Sequence, residues 1–312
     1  MTKTRQTSLV MLNSFQHLVS RHHMIENILI NGLIHGGVYA LLAVGFSLIF
    51  GVARIVNIAH TAFYMIAAYL IYTFGTRLHL HPLLAISLSI VIVPLIGILT
   101  YQLTIKPIQE HHVTVLIVTI AVAMVFQEVM LLLFGGHFRG NPSLLPGFLE
   151  IAGVRVSYQH LLTLVVVFIV LLITWWILLK TRLGIAIRAT AQDREVANLM
   201  GMNVSRVAMI TMGIAVTMAA IAGVLVAPLS VVEPYMWLHP LVMMLAIVVL
   251  GGLGSIKGSL AGAFILGFAE TLVVFLIPLG AFLKGAFSLT IMLVVLLIRP
   301  EGLFGVVFEE ER

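Results

Sequence analysis

Nine stretches of apolar residues run through this chain, at 28–51, 58–75, 83–105, 113–134, 159–179, 207–228, 240–256, 259–278 and 284–298. They are continuous, and most approach the roughly 20 residues a helix needs to cross a bilayer. Strands of a membrane barrel would alternate apolar and polar positions, which these stretches do not. The pattern predicts an all-α, polytopic transmembrane helix bundle of eight or nine membrane segments. The count stays open because 240–256 is rich in Gly near its end and also reads as a half-helix.

Two connections are longer than the rest. Residues 135–158 are rich in Gly and Pro and carry few charges. Residues 182–206, "RLGIAIRATAQDREVANLMGMNVSR", form a polar island between two oily segments. With Lys180, the island carries Arg182, Arg188, Arg194 and Arg206 against Asp193 and Glu195, so the positive-inside rule puts this loop in the cytoplasm. Counting spans outward puts Lys106, Lys257 and the C-terminal tail inside, and Arg77, Arg139 and Arg155 outside. Nine spans would leave the N-terminus outside, whereas Lys3, Arg5 and Arg21 favour inside. A broken or re-entrant segment at "GVARIVNIAH" (51–60) would reconcile the two. The organisation expected is a tail over 1–26 with the character of a surface helix, a transmembrane domain over 27–300 containing the loop 180–206, and a tail over 301–312.

Composition narrows the class. Hydrophobic residues make up 61% of the 312 and charged residues 9%, against about half and a quarter in a soluble domain. Mean hydropathy is +1.15. The net charge of +5 is scattered over short loops, which fits membrane orientation rather than nucleic-acid binding. The chain has no cysteine, which excludes disulfides and thiol chemistry. It has no Gly-Lys dipeptide for a phosphate-binding loop, no H-E-x-x-H, and no Ser-His-Asp arrangement. No cofactor and no metal site is expected in the chain.

Within the island, Thr190 followed by Asp193 has the spacing of an N-cap with an acidic residue in the first turn. The helix expected over 191–200 would carry Val196, Leu199 and Met200 on one side and would stop at Gly201. A solvated connector, a membrane-surface helix and a knob for a partner's groove all fit that description.

Small residues suggest close helix contacts: Gly32 and Gly36 are four apart, as are Gly254, Gly258 and Gly262, a spacing that lines up one helix face. The competing reading is that Gly is simply common in membrane helices. A charge within a bilayer costs roughly 2.5–3.5 kcal/mol on insertion scales. Asn57, His60, Gln127, Glu128 and Glu270 are therefore candidates to line or gate a pathway. Hydrogen bonding between helices would call for the same residues. His35 reads as a packed or hydrogen-bonded histidine.

Four segments carry a resemblance. Glu195-Val196-Ala197 and Gly201 resemble the E-A-A-x-x-x-G signature of bacterial ABC importer permeases, with Val196 in place of the first alanine. "GLIHGGVYALLAVGFSLIFGVARIVNIAHTAF", "VVLGGLGSIKGSLAGAFILG" and "RPEGLFG" resemble, in order, segments of the permease subunits of branched-chain amino acid ABC importers. Thr61 and Ala62 stand where that family usually has Gly-Glu, and Lys257 where Pro is common. The resemblance implies a multi-pass permease in the bacterial inner membrane that moves branched-chain amino acids from periplasm to cytoplasm. It implies a coupling helix in which Arg188, Asp193, Glu195, Ala197 and Gly201 meet the motor. It implies as partners two ATP-binding subunits holding the ATP and Mg, a second permease subunit that is a paralogue rather than a second copy, and a periplasmic binding protein. That protein would dock near 135–158 and Glu233-Pro234 and do most of the substrate selection. The alternatives are an ABC permease for urea, amides or sugars, and a secondary transporter coupled to protons or cations through Glu128 and Glu270. An intramembrane enzyme lacks a catalytic constellation.

Overall fold

The computed structural model describes residues 2–151, 154–299 and 302–304, with side chains described for 25–150, 155–299 and 302–304. Eleven helices and one hairpin make up the described chain: α1 (Thr2–Ala53), α2 (His60–Tyr72), α3 (Pro82–Thr100), α4 (His112–Phe134), β1 (Phe148–Ile151), β2 (Val154–Ser157), α5 (Tyr158–Lys180), α6 (Arg182–Gln192), α7 (Arg194–Leu199), α8 (Val204–Val226), α9 (Leu238–Gly251), α10 (Ile256–Leu276) and α11 (Gly280–Ile298). The two strands pair antiparallel, Phe148 opposite Ser157.

Among the described residues, seven helices are long and apolar enough to cross a membrane: Ile25–Ala53, Pro82–Ile108, His112–Phe134, Tyr158–Lys180, Val204–Val226, Ile256–Leu276 and Gly280–Ile298. The other two apolar stretches of the sequence fold as shorter helices. α2 has 13 residues, extended by the wide turn Thr73–Arg77. α9 has 14 and ends where Gly252 and Gly254 take φ of +97° and +79°, a backbone state that glycine adopts without steric penalty.

α1 and α10 run antiparallel through the centre. A Cβ on Gly32 would meet the Phe268 ring, one on Gly36 would lie 2.8 Å from Phe264, and Gly51 faces Gly254. α8 completes the core. Its Gly97-facing Val216 and its Gly223, which abuts Tyr64 and Ala67, admit α3 and α2 at close range. Lipid tails are as apolar as leucine, so such backbone approach supplies the packing energy that water would otherwise drive. α3 and α4 instead attach by single stripes with a spacing of four, Ala85-Ser89-Val93-Gly97 and Val115-Thr119-Ala123-Gln127. Positions flanking the stripes are half-buried, and the far faces are exposed.

The expected break is present: residues 54–59 leave the helix between Ala53 and His60. The chain turns back there: α1 runs toward the charged island, where Ala53 and Arg54 meet Arg194 and Ala191, and α2 runs the other way. Asn57 sits at Met212 and Tyr64 at Gly223, so α2 runs parallel to α8, away from the charged island. The Ile25 end of α1 consequently lies opposite that island, which does not favour the reconciliation offered for an inside N-terminus. The side chains of Lys3, Arg5 and Arg21, and the tail 305–312, lie outside the described residues.

Candidate coupling and translocation site

The polar island folds differently from the single helix expected over 191–200. α6 is already helical from Arg182, capped by Thr181 Oγ1, which accepts from Gly184 N at 3.0 Å. Thr190 is buried inside α6 and is not an N-cap. Asp193 is: its backbone is extended (φ −150°), and Oδ1 accepts from the Glu195 and Val196 amides at 2.9 and 3.0 Å. The physical reason is that the aspartate reaches amides two and three residues ahead, so it starts a new helix instead of continuing the old one. Gly201, at φ +82°, ends α7, and Asn203 caps α8 by accepting from Arg206 N at 2.9 Å.

Seating is one-sided. Ala197 is buried, while Val196, Leu199 and Met200 are 52%, 84% and 77% exposed. The apolar side of α7 therefore points away from its own bundle. Arg188, Asp193 and Glu195 are exposed beside it. A polar cleft of about 680 Å³ lies between α7, the α7–α8 turn and the α3–α4 connection, lined in part by Gln109, Glu110, Arg194, Glu195 and Asn203.

Two arginines fasten this element to the bundle. Arg54 Nη2 donates to Ala191 O at 2.9 Å, and Arg194 Nη1 donates to Ala53 O at 3.2 Å. Both acceptors are carbonyls at helix C-termini, where unpaired carbonyls and the helix dipole favour a cation. Arg54 holds φ +56°, a left-handed conformation uncommon for a residue with a side chain.

Beyond Arg54 the non-helical segment lies inside the bundle, the setting in which such backbone is tolerated at membrane depth. The Ile58 amide donates to Thr119 Oγ1 at 3.3 Å, linking the segment to α4. Asn57 and His60 are fully buried. Asn57 Nδ2 donates to Met212 Sδ at 3.6 Å, and His60 meets the edge of Phe46. They lie behind α4, in the interior of the bundle.

The other three pathway candidates lie apart. On α4, Gln127 is buried and Glu128 exposed. Trp237 Nε1 donates to Gln127 Oε1 at 2.9 Å, and Gln127 Nε2 donates to Glu128 Oε1 at 3.3 Å. Glu270 is buried among four helices: Tyr39 OH donates to its Oε2 at 2.8 Å, while His239 Nε2 and Lys284 Nζ lie 3.2 and 3.1 Å from its Oε1. His35 stacks on Tyr39 along one side but is itself exposed.

The five candidates thus occupy three places, and sequence reasoning missed Arg54, Tyr39, Trp237, His239 and Lys284. Lys284 had a readable signal. It opens the apolar stretch 284–298 and looks like a terminus, but α11 starts at Gly280, which sets the charge inside the helix. The glycines divide likewise. Gly32 and Gly36 pack α1 on α10. Gly258 and Gly262 face Gly251 and Ile247 of α9. Gly254 precedes α10 and serves a left-handed turn, so the three do not share one helix face.

A family model described as the branched-chain amino acid transport system / permease component matches residues 28–296. The chain is 30% identical to the high-affinity branched-chain amino acid transport system permease protein BraD of Pseudomonas aeruginosa, covering 91% of this chain and 96% of that one. It is 30% identical to LivH of Escherichia coli, covering 88% and 94%. Among solved structures, PsaBC from Streptococcus pneumoniae in complex with Fab aligns over 93% of this chain and 97% of that one, at 17% identity and a TM-score of 0.49.

Proposed function

The chain belongs to the branched-chain amino acid transport permease family, and from that premise we propose that it forms the membrane path of an ABC importer that carries branched-chain amino acids inward across the bacterial inner membrane. The observation that carries the coupling half of this reading is the outward apolar side of α7. Val196, Leu199 and Met200 are exposed on a short capped helix amid charge, a form suited to a groove in a partner rather than to its own bundle. Two ATP-binding subunits, holding ATP and Mg, supply the phosphate chemistry. This chain, a permease without catalysis of its own, supplies the lever and the path. A paralogous permease subunit pairs with it, and a periplasmic binding protein docks at the opposite end, over 135–158 and Glu233-Pro234.

Nucleotide binding closes the motor and displaces α7. Such a ligand shifts the bundle only through its differential affinity for the two states, so α7 must be mechanically tied to the elements that move. The Arg54 and Arg194 contacts supply that tie. Coupling to protons through Glu270 is disfavoured, because Lys284, His239 and Tyr39 already engage that carboxylate.

The test is leucine uptake by proteoliposomes containing the full complex. Uptake that requires ATP and the binding protein supports the reading. Uptake driven by a pH gradient with the ATPase subunits omitted overturns it.

A further inference from the structure

Glu128 is an exposed carboxylate six residues inside the end of α4 at Phe134, about 9 Å along the helix axis at 1.5 Å per residue. Long basic side chains can snorkel over such a distance, but a glutamate side chain is too short. A charge facing lipid at that depth is strongly disfavoured, and intramembrane carboxylates face a bundle interior or water. This face of α4 is therefore covered by something other than lipid tails.

The carboxylate is also held in place from behind. Trp237, itself buried, donates to Gln127 Oε1, and Gln127 Nε2 donates to Glu128 Oε1. Both supporting groups are neutral, so the negative charge is oriented without being cancelled. Among the described residues no cation lies within ion-pair distance of it. Its neighbours on the same helix face, one turn away in each direction, are Met124, Val125 and Leu132, all more than half exposed. The surface pairs one fixed negative charge with a ring of hydrocarbon.

We propose that Glu128 receives the α-ammonium group of the transported amino acid, with Met124, Val125 and Leu132 taking its branched side chain and Gln127 and Trp237 acting as positioning residues. The inference rests on the importer reading and adds the contact by which the path itself recognises its cargo. A partner's lysine or arginine would also satisfy the carboxylate, but it would turn this surface into a permanent ion pair. The flanking hydrocarbon matches a ligand that is cationic at one point and aliphatic beside it.

The experiment measures equilibrium binding of leucine and of isocaproate, its deaminated analogue, to the purified complex of both permeases and both ATPases without the binding protein. Glu128→Gln is expected to weaken leucine about tenfold and to leave isocaproate unchanged or tighter, because the repulsion between the two carboxylates is removed. Glu128→Asp should retain part of the preference, and Trp237→Phe should erode it less than Glu128→Gln does. Unchanged leucine binding in Glu128→Gln overturns the proposal. So does loss of the second permease subunit on size-exclusion chromatography, which would assign the carboxylate to a subunit cation. Failure of the wild-type complex to drive leucine uptake with ATP would instead overturn the importer reading.

Discussion

Arg54, the residue at which α1 breaks, donates through Nη2 to the carbonyl of Ala191 at the end of α6, while Arg194 at the start of α7 donates back to Ala53. The two contacts cross between the same two chain segments. They tie α6 and α7 to the start of the non-helical segment 54–59, whose Ile58 amide engages Thr119 of α4. A short series of contacts thus joins α6 and α7 to the buried stripe of α4, the face opposite the one that bears Glu128.

Cutting that link should uncouple the machine without dismantling it. A hydrogen bond to a charged group contributes about 1.5–3 kcal/mol, less where solvent screens it. In Arg54→Gly and Arg194→Ala we expect ATP-driven leucine uptake to fall about tenfold while ATP hydrolysis by the assembled complex persists. Arg54→Gly also relaxes the positive φ, so a gain in thermal stability together with lost uptake would separate backbone strain from force transmission. Undiminished uptake in both variants would remove the link from the mechanism.

The apolar knob gives a cleaner separation of binding from folding. Leu199 and Met200 are largely exposed, and substitutions on such surfaces usually change stability by no more than about 0.5 kcal/mol. Leu199→Glu and Met200→Glu should therefore leave the melting temperature of the isolated permease in place and reduce co-purification of the ATPase subunits at least tenfold. Full retention of the ATPases would show that α7 is only a solvated connector.

Glu270 and Lys284 offer a double-mutant cycle. Lys284→Ala leaves a buried carboxylate short of its cation; breaking a fully buried pair typically costs about 3–5 kcal/mol, and the loss here should fall below that because Lys284 is 36% exposed. We expect a marked loss of thermal stability in Lys284→Ala, partial recovery in Lys284→Ala/Glu270→Gln, and a smaller loss in Glu270→Gln alone. Additive effects would mean that the two groups do not act as a pair.

Topology can be read directly, because the natural chain has no cysteine. Ser205→Cys, lining the polar cleft beside α7, should react with an impermeant maleimide only when the cytoplasmic face is open. Leu78→Cys, just past the wide turn Thr73–Arg77 that extends α2, should react from the periplasmic side. Labelling in the reverse sense would invert the orientation assigned from loop charge.

The class of the molecule was legible in one dimension. Long apolar runs with no strand alternation leave only helices, since every backbone polar group must then be satisfied within its own segment. The break near Asn57, the stop at Gly201 and the apolar set Val196, Leu199 and Met200 were visible for similar local reasons. The direction in which that set faces was not. A period of 3.6 residues groups side chains on a helix, but it does not say whether the group looks toward the bundle or away from it.

Contacts between distant segments decided the rest. Asp193 rather than Thr190 became the cap because the chain leaves the helix at Asp193, and Thr190 is committed to a buried position in α6. Glu270 found Lys284, His239 and Tyr39 on three other helices, while Glu128, equally conspicuous in sequence, was left on an open face. Hydropathy determined that these residues lie in the membrane. Which of them is satisfied by a neighbour and which is held ready for a visitor depends on helix packing across the whole chain, and no local pattern encodes that.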